Sequence, residues 1–303
     1  MMNLLRSEKG TVVIIVAMVM TLLLGMTALV LDIGVIYLEK SRLQKAVDSA
    51  VLAGAMDYPS RPDLGQRAAE HVAQGNGVEA SDLTLTFDRT DMSLAGGSSK
   101  EVLATFSKVL GFSDNTIHAT AKIKFGPIGA GVGAIPLGVN AGTPLTFGQQ
   151  AKLKVGTADT GNFGALALTG SGASNYERDL QQGFDGELSV YDVLNTETGQ
   201  IANPTKRAIE HRISSCPYPG ATYTDYPVNC PRIGLIPVYQ PVVTQQNQIK
   251  QVRVVGFAFF FIESVSDNNQ GAEVVGRFIE KTISGPIVSA GSSYGAYGYK
   301  LVE

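Results

Sequence analysis

The sequence of 303 residues contains no tryptophan, only two cysteines and only three histidines. So few thiols and imidazoles leave a transition-metal centre short of ligands. No basic cluster rises above ordinary surface charge and the net charge is −3, which excludes the electrostatic footprint of a nucleic-acid binder. Reaction motifs are missing too. There is no G-x-S-x-G elbow, since Gly170-Ser171-Gly172 is a loop of small residues, and Glu210-His211 lacks the partner that H-E-x-x-H requires. Gly129-x-Gly131-x-Gly133 has neither the Lys-Ser/Thr of a phosphate loop nor the spacing of a dinucleotide fingerprint. No EF-hand loop occurs. No catalytic, cofactor-binding or metal-ligating residue is therefore assigned, no cofactor is expected, and the expected role is not enzymatic.

Proline is absent before Pro59, and no ionisable residue stands between Thr11 and Leu31. That apolar run of about 21 residues makes roughly 31 Å of helix, the hydrocarbon thickness of a bilayer. Asp32 ends the run without ending the helix, and Gly34 is a cost rather than a stop. Beyond it Leu29, Ile33, Ile36, Leu43, Val47, Ala50 and Gly54 recur at three- and four-residue spacing, broken once by Lys40. The expectation is one rod of about 45 residues, half in lipid and half outside it. Asp32 marks the membrane edge, either solvated at headgroup level or paired with a neighbouring subunit. Arg6 and Lys9 against Glu8 favour a cytoplasmic N-terminus, with the bulk of the chain extracytoplasmic. The run is long for a cleavable signal peptide, and Gly25-Met26-Thr27-Ala28 is a poor cut site within it, so an uncleaved anchor is preferred. Prepilin-type cleavage between Gly10 and Thr11 stays open.

Cys216 and Cys230 each precede proline and lie fourteen positions apart, which reads as one disulfide closing a Pro/Tyr-rich loop in an oxidising compartment. Closing a loop of that size stabilises by roughly 3 kcal/mol.

The segments Arg6-Ser7-Glu8-Lys9-Gly10, Leu31-Asp32-Ile33-Gly34, Tyr37 and Leu43-Gln44-Lys45-Ala46-Val47-Asp48-Ser49-Ala50-Val51-Leu52-Ala53-Gly54-Ala55 resemble the N-terminal signature of TadE/TadG-like proteins of the Flp/Tad pilus-assembly group. The resemblance covers about the first 125 residues. It implies a single-pass bacterial membrane protein with a pilin-like head, contacting other pilus or secretion-system proteins and with self-association as an option. Some large TadG-type proteins carry a D-x-S-x-S metal pattern; here Asp114-x-Thr116-x-His118 is the nearest approach, and it does not match. The face Leu43, Gln44, Ala46, Val47, Asp48, Ala50, Val51 and Gly54 is the candidate assembly face. Its small residues suit close packing either on the protein's own globular part or on a neighbouring helix.

Tyr58-Pro59-Ser60-Arg61-Pro62 ends the rod. A second helix is expected over 63–74, then strands over 83–87, 102–106 and 116–125, with Gly96-Gly97-Ser98-Ser99 as a turn and 106–112 as a helical turn. Residues 126–134 read as a Gly-rich linker without charge. From 135 to 284 a β-rich domain is expected, with strands over 135–139, 145–155, 164–168, 187–190, 233–243, 252–263 and 273–281, and short helices over 175–182 and 205–212. The run 252–262 is so apolar that it belongs in a strand covered on both faces, and it is too short to cross a membrane. Residues 285–303 form a Gly/Ser/Tyr tail, flexible or closing a sheet as an edge strand.

The domain plan is thus leader 1–10, membrane helix 11–31, pilin-like α+β domain 32–125, linker 126–134, β-rich domain 135–284 and tail 285–303. Two other readings stay open: an exported enzyme tethered to the membrane, and a surface module that binds glycan or protein through the β-rich domain.

Overall fold

The chain's computed structural model describes residues 8–103, 108, 115–155, 163–197, 201–245, 248–268, 271–288 and 292–302. Helix α1 runs unbroken over Glu8–Ala55, as the lack of proline allows. Its first half stands alone. All side chains from Val12 to Leu24 are exposed, and none of its most apolar window is buried inside the protein. Asp32 departs from the solvated position expected of a membrane edge: it is 6% exposed and partnered, while its neighbours Leu31 and Ile33 remain exposed. Burial begins in earnest at Leu43, where the small-residue stripe meets the rest of the protein.

The head is built on that stripe. Helix α2 (Pro62–Gly75) folds back after the proline elbow, with Pro62 in its first turn. Strands β1 (Thr84–Asp88), β2 (Ser93–Val102) and β3 (Asn115–Pro127) form an antiparallel meander. Period-two patterning sets which face packs. Ile117, Ala119, Ala121, Ile123 and Phe125 of β3 are buried toward the helices, while Thr116, His118, Thr120 and Lys124 face out.

Two expectations are corrected here. Gly96-Gly97-Ser98-Ser99 lies inside β2 rather than in a turn, and the turn falls earlier, at 89–92. Gly96 sits in the strand because a Cβ there would collide with Val51 of α1. Of the strand expected over 102–106, Val102 ends β2 and Leu103 lies beyond it, while 104–106 lie outside the described residues. The helical turn expected over 106–112 lies outside the described residues except for Lys108, as do 1–7 of the leader.

The second unit leaves the head at the end of β3. The stretch 126–134 is packed structure rather than a slack linker. Ile128 is buried, and β4 (Ala130–Val132) pairs with β8 (Glu187–Ser189). Its glycines permit close approach: a Cβ on Gly131 would lie 2.7 Å from Leu235. The main sheet comprises β5 (Leu137–Asn140), β6 (Gln150–Val155), β7 (Phe163–Ala167), β9 (Val193–Thr196), β10 (Ile233–Gln245), β11 (Gln248–Asn268) and β12 (Gly271–Ile279). Its order is β10-β5-β7-β9-β11-β12-β6, and β10 also pairs with β11, so five strands close a ring from which β12 and β6 extend.

Strand β11 is the spine of this unit. Ala258, Phe260 and Ile262 pack on one side with Tyr176 and Leu180 of α3 (Ala173–Gln182) and Ala208 and Ile209 of α4 (Ala202–Ser214). Phe257, Phe259 and Phe261 pack on the other with Cys216, Tyr226 and Cys230. Both faces of the run 252–262 are therefore covered, as its composition predicts.

The chain then returns to the head. Strand β14 (Ala296–Leu301) pairs antiparallel with β3, and β13 (Lys281–Thr282) pairs parallel with β14, giving a head sheet of order β1-β2-β3-β14-β13. In the tail, 296–301 form a strand, which lies between β3 and β13 rather than at the edge of the sheet as expected. The protein is thus α+β, with a long apolar helix, a two-layer head and a β-rich unit inserted between β3 and β13 of that head.

Phe260 is fully buried between the β sheet and α3/α4. Phe260→Ala is expected to lower stability by about 3–5 kcal/mol, read from urea denaturation of the detergent-solubilised chain. A loss under 1 kcal/mol would show that this core is not closed.

Candidate assembly surface

Helix α1 presents two different surfaces along its length. The outer half carries the candidate assembly face, and the structure seats it on the protein's own head. Leu43, Ala46, Val47, Ala50 and Val51 are buried against the sheet and α2. Gly54 faces α2 closely: a Cβ there would lie 3.1 Å from the Gly65 carbonyl and 3.2 Å from Ala69 Cβ. Gln44 Nε2 donates to Asp48 Oδ1 at 2.8 Å and to the Thr120 carbonyl of β3 at 2.7 Å. The small residues are thus used to bring α1, α2 and β2 within backbone distance, and a neighbouring subunit cannot reach them while the head stays closed. From Leu43 to the first residue past α1, Lys45 and Met56 are exposed and Gln44, Asp48, Ser49, Leu52 and Ala53 partly so.

The inner half remains bare. Ile14, Ala17, Met18, Thr21, Leu22, Gly25, Met26 and Leu29 line a shallow apolar groove along it. The hydroxyls of Thr21 and Thr27 donate back to the carbonyls of Ala17 and Leu23, each at 2.8 Å, so no polar group on this surface asks for water.

At the elbow the head and the β-rich unit meet. Cys216 and Cys230 form a buried disulfide with Cα atoms 4.9 Å apart. The loop it closes carries Tyr226, whose ring packs on Phe261 and lies 4.1 Å under the Arg61 guanidinium. Arg61 pairs with Asp57, one turn earlier. Thr282 Oγ1 donates to the Tyr58 carbonyl at 2.5 Å, and Tyr297 donates to Glu280 at 3.0 Å. Burial pushes the Tyr226 hydroxyl up and the Lys281 ammonium down, the nearby Arg61 charge adding to the effect on Lys281. Sequence reasoning did not find this junction. The contacts that tie the elbow to the β-rich unit and to β13, Arg61 with Tyr226 and Tyr58 with Thr282, join residues more than 160 positions apart, and the one local hint was the aromatic content of the Cys loop.

The described residues offer little for catalysis. No group of three or more His, Cys, Asp or Glu is placed to hold a metal ion among them. His71, His118 and His211 are all exposed. Ser215 Oγ lies 3.5 Å from His211 Nε2, on the open end of α4 rather than in a cleft. A cleft of about 130 Å³ at the junction is lined by Ser60, Arg61, Phe147, Tyr223, Tyr226 and Glu280, which supply one carboxylate and no histidine.

The lower end of the head is tied to the rod by charge. Glu39 accepts from Lys100 of β2 at 2.6 Å and from Arg42 at 2.8 Å, and the Lys100 bond, then the Arg42 bond, hold its carboxyl below the usual range. A carboxyl with a depressed folded-state pKa contributes stability above its unfolded value near 4.5 and loses it as pH falls through the lower, folded value. Glu39→Gln should therefore be less stable than the parent at pH 7, with the difference shrinking below pH ~4. Thermal melts across that range check this; a pH-independent difference would contradict it.

The family model for Flp pilus-assembly TadE/G-like proteins matches residues 10–57. Comparison with curated proteins finds no match, and comparison with solved structures finds none either. The matched stretch is the whole described rod from Gly10 through the elbow residue Asp57, and it stops before the sheets. Over residues 10–57 the chain is similar to the Flp pilus-assembly TadE/G-like family.

Proposed function

We propose that the protein is a membrane-anchored structural or assembly component of a Flp/Tad-type pilus or a related envelope secretion system. It acts through protein–protein contacts and not through catalysis. The observation that carries this reading is the coincidence of the TadE/G-like match with a helix whose apolar half is bare. A bare apolar helix of this length requires lipid or other apolar helices around it. The N-terminus is cytoplasmic and the head and β-rich unit lie outside the membrane, in keeping with the disulfide.

Because the stripe from Leu43 to Gly54 is occupied by the head, partner contacts fall on what is left open. Those are the lipid-level groove around Thr21 and Gly25 and the outer ridge of Lys45, Ser49, Leu52 and Met56. Prepilin-type processing at Gly10-Thr11 remains part of the proposal as an option, and it decides whether the chain enters the fibre or assists its assembly.

Photo-crosslinking residues placed at Leu22 and Met56 in cells are expected to capture pilus or secretion-system components. A crosslinker at the buried Val47 serves as a control and should capture none. Gene deletion should abolish pilus assembly. Normal assembly after deletion, with no crosslinks from either exposed position, would contradict the reading.

A further inference from the structure

The rod and the head run side by side, and the head reaches down further than the rod's apolar boundary suggests. Lys40 Nζ donates to the His118 carbonyl at 2.6 Å and Lys100 meets Glu39 at 2.6 Å, so these residues of β3 and β2 stand level with Glu39 and Lys40. Higher on the rod, Gln44 reaches Thr120, and Val51 lies over Gly96. Strand β3 therefore ascends with α1 and β2 descends. From Lys100, β2 continues downward to Val102, which pairs with Asn115 at the start of β3, and then to Leu103. Three residues of strand cover about 10 Å, which equals about six or seven residues of helix. Counted this way Leu103 lies near Asp32 and Ile33, and counted over about 23 Å of strand from the tighter Val51–Gly96 contact it lies near Ile36, so it stands level with the stretch 32–36 of α1.

That level is the membrane surface. Twenty apolar residues ending at Leu31 span about 30 Å of hydrocarbon, and each headgroup layer adds about 5–8 Å. The outer layer then takes in α1 from Asp32 to about Ile36, with Tyr37 at its upper edge. Side chains in this band have the character of that layer. Ile33, Val35 and Leu38 are exposed, Tyr37 is 77% exposed, and Leu103, across from them on the head, is 67% exposed. Just above stand Lys40, Arg42 and Lys100. Aromatic and apolar groups below basic ones is the order found where protein crosses from lipid to water.

We propose that the lower end of β2 is a membrane-contacting element, with Leu103, the residue that follows it, seated in the headgroup layer of the outer surface near the level of Tyr37 of the rod. The inference rests on α1 spanning the bilayer. Two points of contact, helix and strand end, fix the tilt of the head against the membrane, and with it the direction in which the β-rich unit is presented.

The test uses the full chain in phosphatidylcholine/phosphatidylglycerol vesicles, with a single added cysteine labelled by an environment-sensitive fluorophore. Leu22→Cys, Tyr37→Cys, Leu103→Cys and Val228→Cys are all at exposed positions, Val228 being 86% exposed near the elbow, and the native cysteines are engaged in the disulfide. Labels at 37 and 103 are expected to shift to the blue and to be quenched by nitroxides attached at headgroup depth. The label at 22 should be quenched by mid-chain nitroxides and the one at 228 by neither. A lipid-immersed label at 22 with a label at 103 as solvated as that at 228 overturns the proposal alone. A solvated label at 22 overturns the membrane-spanning reading on which it rests.

Discussion

The burial of Val47, Ala50 and Val51 of α1 against β2, β3 and α2 is the contact on which the rest of the head depends. A helix emerging from a bilayer keeps its own backbone hydrogen bonds but has an apolar stripe to cover once lipid ends. Here a sheet and a second helix cover it, and small residues make the cover tight. Gly54 against Gly65 brings two helices within backbone contact, and Gly96 lets a strand lie directly under Val51. The family signature on this half of the rod therefore has a physical meaning within one chain: it is the sequence a helix needs if its own head is to close on it.

From that contact the remaining geometry follows in sequence. The elbow turns α2 back along α1, and Arg61 at the elbow meets Tyr226 from the disulfide-closed loop. The β-rich unit is inserted between the third strand of the head and the last two, so β13 and β14 return to close the head sheet. The orientation of the unit is thereby held at three places: the strand exit at Pro127, the re-entry at Lys281, and the Arg61–Tyr226 stack.

Much of this was legible in the sequence, and the exceptions share a cause. The rod showed because twenty-odd apolar residues without proline have few other solutions, and β11 showed because a run such as Phe257 to Ile262 has to be covered on both faces. Strands in the β-rich unit were placed to within a few residues, though β9 was missed because Val193–Thr196 is too short to show a period. The misreadings concentrate at glycine. Gly96-Gly97 reads as a turn and 126–134 as a linker when only local propensity is weighed, yet both are places where another chain segment lies too close for a Cβ. The site was less legible. Which side of the rod the head would take and the meeting of Arg61 with Tyr226 are contacts between distant parts of the chain, and no periodicity records them.

The bare apolar half and the head-facing half of α1 form one continuous helix. Gly34 is its weakest point: a Cβ there would meet nothing, and it lies just past the apolar run. Spin labels at Leu24 and Met56 in bilayer-reconstituted protein measure the span of both halves by pulsed dipolar spectroscopy. A continuous helix places these positions about 48 Å apart, so a single narrow distribution near that value is predicted, unchanged by Gly34→Ala. A shorter or broad distribution that sharpens on Gly34→Ala would show a hinge at the membrane surface and contradict the account.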